Sequence, residues 1–378
     1  MRFGGAAIFG LCSVVLLVAC QHVPTVPTIK ANISSDTQEQ AKPHLQPPSA
    51  INQPPMPDGL RPCCAFGYDL KAKLAKVPVP FYKVNNVLDL EHLGRHRYND
   101  SFWRGVSSVL SLSSEQLGMV YTRKGGFIDV AHVRDTADYS YYLFAQIYPR
   151  LGEAWTLKLS NELAERRIQF HAFSPPQTEA ERYSMSVYLA AHLGYQLAVW
   201  HEIAQWYGYR SVPGFSEQIS AFSPEDLYSN LLGARLAVTV LMQGQADSVK
   251  DFNRAMQGIL PSALEQLDVQ SAEKTRQVFD DINGTWWDKS QRVPEKFLVL
   301  KRHYVVASNR MPLLPEQETA VAHRLALPEV YAGYDLKTLA SMQYWPTKKM
   351  AKLPIKDRPI TTADFPMLLE QAEREASL

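Results

Sequence analysis

Two short stretches of this chain hold side chains able to bind a metal ion or move a proton. The first is Gly125-Gly126-Phe127-Ile128-Asp129-Val130-Ala131-His132-Val133-Arg134-Asp135. A helix beginning near Asp129 sets Asp129, His132 and Asp135 on one face at three-residue steps. A carboxylate and an imidazole so spaced can share a cation, or one can orient the other. In the first turn the helix dipole disfavours the imidazolium, and neutral imidazole is the form that binds metal. The plainer alternative makes Asp129 a helix cap and His132 a satisfied core residue. The second stretch is Trp200-His201-Glu202-Ile203-Ala204-Gln205-Trp206-Tyr207-Gly208. Ala191, Gly194, Ala198, His201 and Gln205 follow one another at three- and four-residue steps, so a stripe of small residues lets another helix approach closely. A His and a Glu buried there need partners, because an unpaired buried polar group costs a few kcal/mol.

His201-Glu202 resembles the start of the zincin helix motif, in which two His residues four apart bind zinc and the Glu activates water. The second His position is occupied by Gln205. Any metal therefore needs a ligand from another helix, and the helix of His132 is the expected source. Ser223-Pro224-Glu225-Asp226 offers a further carboxylate: Ser223 and Asp226 fit a capping box, which leaves Glu225 uncommitted. The expected centre is one zinc-like ion on His132 and His201, completed by Asp129 or Glu225, with Glu202 as the base that deprotonates bound water. The implied activity is hydrolysis of an envelope peptide, glycan or lipid ester.

Two other places carry weaker chemistry. Cys63-Cys64 could form a strained vicinal disulfide and a redox switch, bind metal, or stay reduced and buried. Gly284-Thr285-Trp286-Trp287-Asp288 could stack on a sugar ring, although aromatics in a large domain are more often core. Exposed Trp286 and Trp287 would favour a rival reading: a non-catalytic envelope protein that binds glycan or a protein partner. Glycine-rich phosphate loops and the Gly-x-Ser-x-Gly elbow are absent from the sequence. With 39 basic and 38 acidic residues the net charge is +1, which suggests neither nucleic acid nor an anionic lipid surface as partner.

The elements that must position these residues are mostly helical. Gly118 to Thr122 reads as a strand, followed by a Gly125-Gly126 turn and a helix from Asp129 to Ile147. Ser111 to Gln116 looks like a short helix start. Ala154 to Ser160 and Arg166 to Phe173 alternate like a strand pair. A long helix is bounded by the Thr178–Glu181 capping box and by Gly208. Further helices are expected from Pro224 to about Met242, from Ser248 to about Leu267 with an interruption near Pro261, and from Ser271 to Ile282. Phe297 to Ala307 reads as a strand, and the tail from Pro312 as irregular. The fold class expected is α+β, helix-dominated, with one large domain over residues 61–378.

The N-terminus sets the compartment. Arg2 precedes an apolar run from Ala6 to Ala19 that has the length of a signal-peptide core and is short for a membrane span. Leu17-Val18-Ala19-Cys20 resembles the lipobox of bacterial lipoproteins. That resemblance implies a signal peptide over residues 1–19, cleavage before Cys20 and acyl chains on the new N-terminal Cys, giving a membrane anchor. Gln21, where an Asp would signal inner-membrane retention, implies the outer membrane, facing the periplasm. Residues 20–60, rich in Pro, Gln, Ser and Thr, read as a disordered tether.

Arg61-Pro62-Cys63-Cys64-Ala65-Phe66-Gly67, Gly-Gly-Phe-Ile-Asp-x-x-His-x-Arg from Gly125, His-Glu-Ile-Ala-x-Trp-Tyr-Gly from His201 and Ser223-Pro224-Glu225-Asp226-Leu227-Tyr228-Ser229-Asn230 together resemble a family of Gram-negative lipoproteins known only as a domain of unknown function. The resemblance implies an envelope location and no activity.

Overall fold

The computed structural model describes residues 29–34, 51–61, 65–74, 77–84, 86–101, 115–211 and 216–377. Its centre is a set of three helices: α1 (Val130–Ile147), α2 (Glu179–Trp206) and α3 (Asp226–Met242). Nearly every residue of α1 and α3 is buried, as is most of α2. A helix apolar on all sides belongs in the middle of a domain, and these three share one hydrophobic core. The fold is α+β and helix-dominated.

Small residues set the helix separations. A Cβ on Gly194 of α2 would lie 2.5 Å from the Ser140 hydroxyl of α1, and one on Gly233 of α3 would lie 2.1 Å from the Val133 carbonyl oxygen. In an exposed helix Gly233→Ala would gain about 1 kcal/mol from propensity. Here the clash is with backbone beside His132, so the variant should lose about 3 kcal/mol. Thermal unfolding checks this, and a Gly233→Ala protein as stable as the parent contradicts the packing.

The ends of these helices are fixed by local chemistry. A hairpin of β3 (Met119–Thr122) and β4 (Gly126–Asp129) leads straight into α1, following the shorter pair β1 (Leu70–Leu74) and β2 (Val77–Val84). Asp129 closes β4 and caps α1, its Oδ1 accepting from the Ala131 and His132 amides. Thr178 caps α2 as expected, and Gly208 follows it in the left-handed region at φ 106°. Helix α3 starts at Asp226, not at Pro224. Residues 220–225 instead make tight turns after a short 3-10 segment, Glu217–Ile219. Phe222 adopts φ 59° there, a costly conformation for a residue with a Cβ that surrounding structure must enforce.

The strand pair β5 (Trp155–Lys158) and β6 (Glu165–Phe170) forms, and the tail adds a third antiparallel strand, Ala340–Trp345, on the other edge of β6. That strand lies in the tail read as irregular. Buried Arg166, Ile168 and Phe170 alternate along β6, so its inner face meets the helices.

Three further expectations change. Helix α4 (Val249–Gln266) runs unbroken through Pro261, because Ile259, Leu260, Ala263 and Leu264 anchor both sides of it in the core. Phe297 to Ala307 is no strand: after a 3-10 turn at Lys296–Leu298, Val299 bridges Trp287 and residues 300–307 carry no regular element. Two pieces of the segment read as a disordered tether are folded onto the body. Ile29, Ala31 and Ile33 are buried, with Ala31 N–H donating to Ser262 of α4, and residues 51–61 lead to a buried Arg61. Too few apolar residues mark these pieces for composition to reveal them. The Ser111 helix start falls mostly outside the described residues; Glu115 forms a bridge with Gly94. Among the described residues, helices α5 (Ala272–Asp281) and α6 (Phe365–Ala376) complete the set. Among the described residues, no helix is long and apolar enough to cross a membrane.

Candidate metal centre

His132 in the first turn of α1, Glu202 in the last turns of α2 and Asp226 at the start of α3 converge in the interior. His132 Nδ1 lies 3.9 Å from Glu202 Oε1, and His132 Nε2 lies 3.8 Å from Asp226 Oδ1. One ligand atom from each residue can be chosen so that all three lie within 4.8 Å of one another. Ligands on a tetrahedral ion with bonds near 2.0–2.2 Å stand roughly 3.4 Å apart. The observed spacing is thus slightly open, and a small inward movement of each side chain closes it.

Each carboxylate is oriented by one backbone amide and leaves its other oxygen for the centre. Phe222 N–H donates to Glu202 Oε2 at 2.8 Å, and Ser223 N–H donates to Asp226 Oδ2 at 2.6 Å. The strained Phe222 turn is what aims the first of these amides. Glu202 Oε1 and Asp226 Oδ1 are buried with no hydrogen-bond partner. Buried carboxylate oxygens without a donor are costly, and either a proton shared by Asp226 and Glu202 or a cation between them removes the cost. The group therefore fits a metal.

Electrostatics agrees with the geometry. Burial holds His132 below its ordinary value, in the neutral form a ligand needs. Burial, and then the charges of Glu202 and Glu225, push Asp226 well above the usual carboxylate range. Burial followed by Asp129 does the same to Glu225. Asp129 is pushed up to about 7 by burial, against the two amide bonds of its capping role. Protons or cations must offset this crowding of acids. The Asn230 amide nitrogen lies 2.9 Å from His132 Nδ1. The Asn230 oxygen accepts from the Thr136 hydroxyl at 2.7 Å; a metal on His132 Nε2 would require this amide turned over, its oxygen accepting the Nδ1 proton and its nitrogen donating to Thr136 Oγ1.

Residues 51–315 match the family described as a protein of unknown function, DUF4056. The chain belongs to this family. The matched region spans the four motifs that carried the resemblance, and with them the His132–Glu202–Asp226 group of this DUF4056 protein. No curated protein and no solved structure matches the chain significantly.

The remaining candidates of the DUF4056 domain divide as follows. His201 does not join His132. Its Nδ1 meets Glu162 Oε1 at 2.5 Å, while Arg166 donates to Glu162 Oε2 at 2.7 Å. Sequence reasoning missed Glu162 because it lies in the turn before β6, with no spacing to link it to α2. Glu202, expected as the base, is a ligand-type residue in this arrangement. Asp226, expected only as a cap, joins the group with Oδ1, the oxygen that does not accept from Ser223 N–H. Asp129 does cap α1 and keeps Oδ2 unpartnered; both oxygens of Glu225 are buried and unpartnered. Asp135 turns away, accepting from the Arg61 backbone amide and guanidinium. Trp286 and Trp287 are 4% and 0% exposed, packed with Phe66, Tyr68 and Phe279, so they offer no sugar-stacking surface. Cys20, Cys63 and Cys64 lie outside the described residues.

Burial alone would lower His201, but the charge and hydrogen bond of Glu162 win and hold it up at about 9. Raised above its ordinary 6.5, the group adds stability that is complete below about pH 6.5 and lost as pH climbs through 9. The expected loss is about 3 kcal/mol, the free energy of such a shift. Denaturant unfolding at several pH values should show this decline in the parent and a flat profile in Glu162→Gln. Parallel profiles contradict the assignment.

Proposed function

We propose that this protein is a cell-envelope lipoprotein whose interior binds a divalent metal ion for hydrolytic chemistry. The observation that carries the metal is the pair of buried, donorless oxygens, Glu202 Oε1 and Asp226 Oδ1, aimed at His132. Three protein ligands favour catalysis over a purely structural role, because structural zinc sites close with four and catalytic sites keep a position open. A His with two carboxylates suits zinc and also harder first-row ions. When bound, the ion would polarise a substrate oxygen and make water nucleophilic near neutral pH.

The chain's own residues prepare that chemistry. His132 supplies a neutral nitrogen, and the Phe222 and Ser223 amides keep Glu202 and Asp226 from rotating. His201, held as an imidazolium by Glu162, adds positive potential that keeps a proton off His132. The substrate class is an envelope peptide, glycan or lipid ester. The lipobox-like Leu17-Val18-Ala19-Cys20 supports that range, since acylation of Cys20 would anchor the protein on the periplasmic side of the outer membrane, among such molecules.

The test uses the purified full chain with peptidoglycan, envelope phospholipid and a lipoprotein-derived peptide. Chelator-sensitive product release from one of them, absent in His132→Ala, is expected, with Cys20 carrying acyl chains by mass spectrometry. Wild-type protein that holds no metal, or His132→Ala that releases product equally, contradicts the proposal.

A further inference from the structure

Residues 29–34 lie against α3 and α4 as an extended strap. Ile29, Ala31 and Ile33 are buried in the core, and Lys30 and Asn32 between them are exposed. That alternation is the pattern of a half-buried extended chain. Side chains of the body satisfy the strap's backbone. Gln266 donates to the Ala31 carbonyl at 2.9 Å, Arg235 to the Asn32 carbonyl at 2.6 Å and His323 Nε2 to the Ile33 carbonyl at 2.8 Å. The strap is therefore a fixed part of the fold.

Its position limits how far the body can stand from an anchor at Cys20. Ile29 lies nine residues after Cys20, so even a fully extended chain separates the two by about 32 Å at most. A body of this size is roughly 50 Å across, wider than that reach. So short a connection keeps the side that carries the strap toward the bilayer.

That side has a hollow of about 770 Å³, open to solvent, whose lining includes Lys30, Asn32, Lys124, Glu265, Gln266 and His323. Lys30 and Lys124 are exposed, and of the residues lining the hollow only Glu265 is acidic. The His323 amide donates to the Lys124 carbonyl at 2.7 Å, which closes the His323 loop onto the hairpin turn before β4. The same loop carries Val321, 85% exposed. The net charge of +1 over the whole chain does not reveal this local excess of cations.

We infer that this hollow is the membrane-docking side of the protein, with Lys30 and Lys124 seated on the phosphates of an anionic phospholipid surface. This inference rests on the reading of Cys20 as the acylated anchor. A lipid anchor and a basic patch reinforce each other at a membrane, the first supplying apolar burial and the second attraction to anionic headgroups.

The experiment places the purified full chain on vesicles of phosphatidylglycerol, on vesicles of phosphatidylcholine and in detergent, and follows amine modification of individual lysines by mass spectrometry. Two cations at an anionic surface are together worth about thirtyfold in binding, so Lys30 and Lys124 should react roughly tenfold slower on phosphatidylglycerol than on phosphatidylcholine. Exposed Lys348 and Lys349 should react alike on both. Salt at about 1 M, which shortens the screening length to about 3 Å, should erase the difference. Equal reaction of Lys30 and Lys124 on the two lipids overturns the docking side and leaves the anchor, which holds the chain on either vesicle. Lysines already protected in detergent mean that a second copy or another part of the chain fills the hollow, which also overturns it. A chain that carries no acyl group and binds neither vesicle removes the anchor reading as well, so the two failures differ.

Discussion

Asp226→Asn is expected to shift stability in opposite directions with and without metal. In chelated wild-type protein the Asp226 and Glu202 carboxylates face each other, buried, with an unpartnered oxygen on each. Burial and these charges hold Asp226 well above the usual carboxylate range, so the metal-free pair carries the cost of crowding or protonation; a neutral amide removes that cost and keeps the oxygen that accepts from Ser223 N–H, so the chelated variant should melt higher than the chelated parent. In the loaded state the order reverses, because the parent gains the ion's binding energy and the variant loses most of it. Free ion at 1,000 times its dissociation constant stabilises by about 4 kcal/mol, roughly 8 °C in a domain of this size at about 2 °C per kcal/mol. Stripping the ion should therefore lower the wild-type melting temperature by roughly that amount, and leave His132→Ala unmoved. Scanning calorimetry of the three proteins with and without chelator measures this. An Asp226→Asn protein less stable in both conditions would mean that Asp226 is structural only.

The second large effect lies on α1, one turn along from His132. Asp135 accepts from Arg61 at the backbone amide (2.6 Å) and at Nε (2.7 Å), and Arg61 also pairs with buried Glu115. Arg134 stands 3.5 Å from Glu115, and His96 Nε2 meets Asp138 at 3.0 Å. Burial opposes the Arg61 charge, but Asp135 and Glu115 outweigh it and raise its affinity for the proton. Removing one member of such a network leaves an uncompensated buried charge, which costs about 3–5 kcal/mol. Asp135→Ala should lose that much in denaturant unfolding, and the segment 51–61 should become accessible to protease first. A loss under about 1 kcal/mol, within the range of an exposed pair, contradicts the clamp. The clamp matters for the centre because it grips α1 beside His132.

Local rules made much of the frame legible in the sequence. The Gly125-Gly126 turn, Asp129 as a cap, the Thr178–Glu181 start and the small-residue stripe of α2 each rest on short-range chemistry, and each recurs in the structure. The site was legible in its residue types and less so in its pairings. His201 and Glu202 are neighbours on a helix and so point about 100° apart; one faces Glu162 while the other faces His132, and nothing in linear order says which. Asp226 was hidden by its cap role, since a carboxylate has two oxygens and the sequence does not show that only one is used. Trp286 and Trp287 were open to both a core and a sugar-stacking reading because composition does not report burial, and the structure gives the core. The run from Phe297 forms no ladder because, among the described residues, its strand pairing is limited to the Trp287–Val299 bridge, a fact of tertiary placement.

The most direct measurement is anomalous X-ray scattering from crystals of the metal-loaded protein, with data collected on both sides of the ion's absorption edge. The account predicts a peak about 2.1 Å from a His132 nitrogen, with Glu202 Oε1 and Asp226 Oδ1 drawn onto the same ion. Loaded crystals without such a peak, in which Glu202 and Asp226 share a proton and His132 bonds only to Asn230, would contradict it.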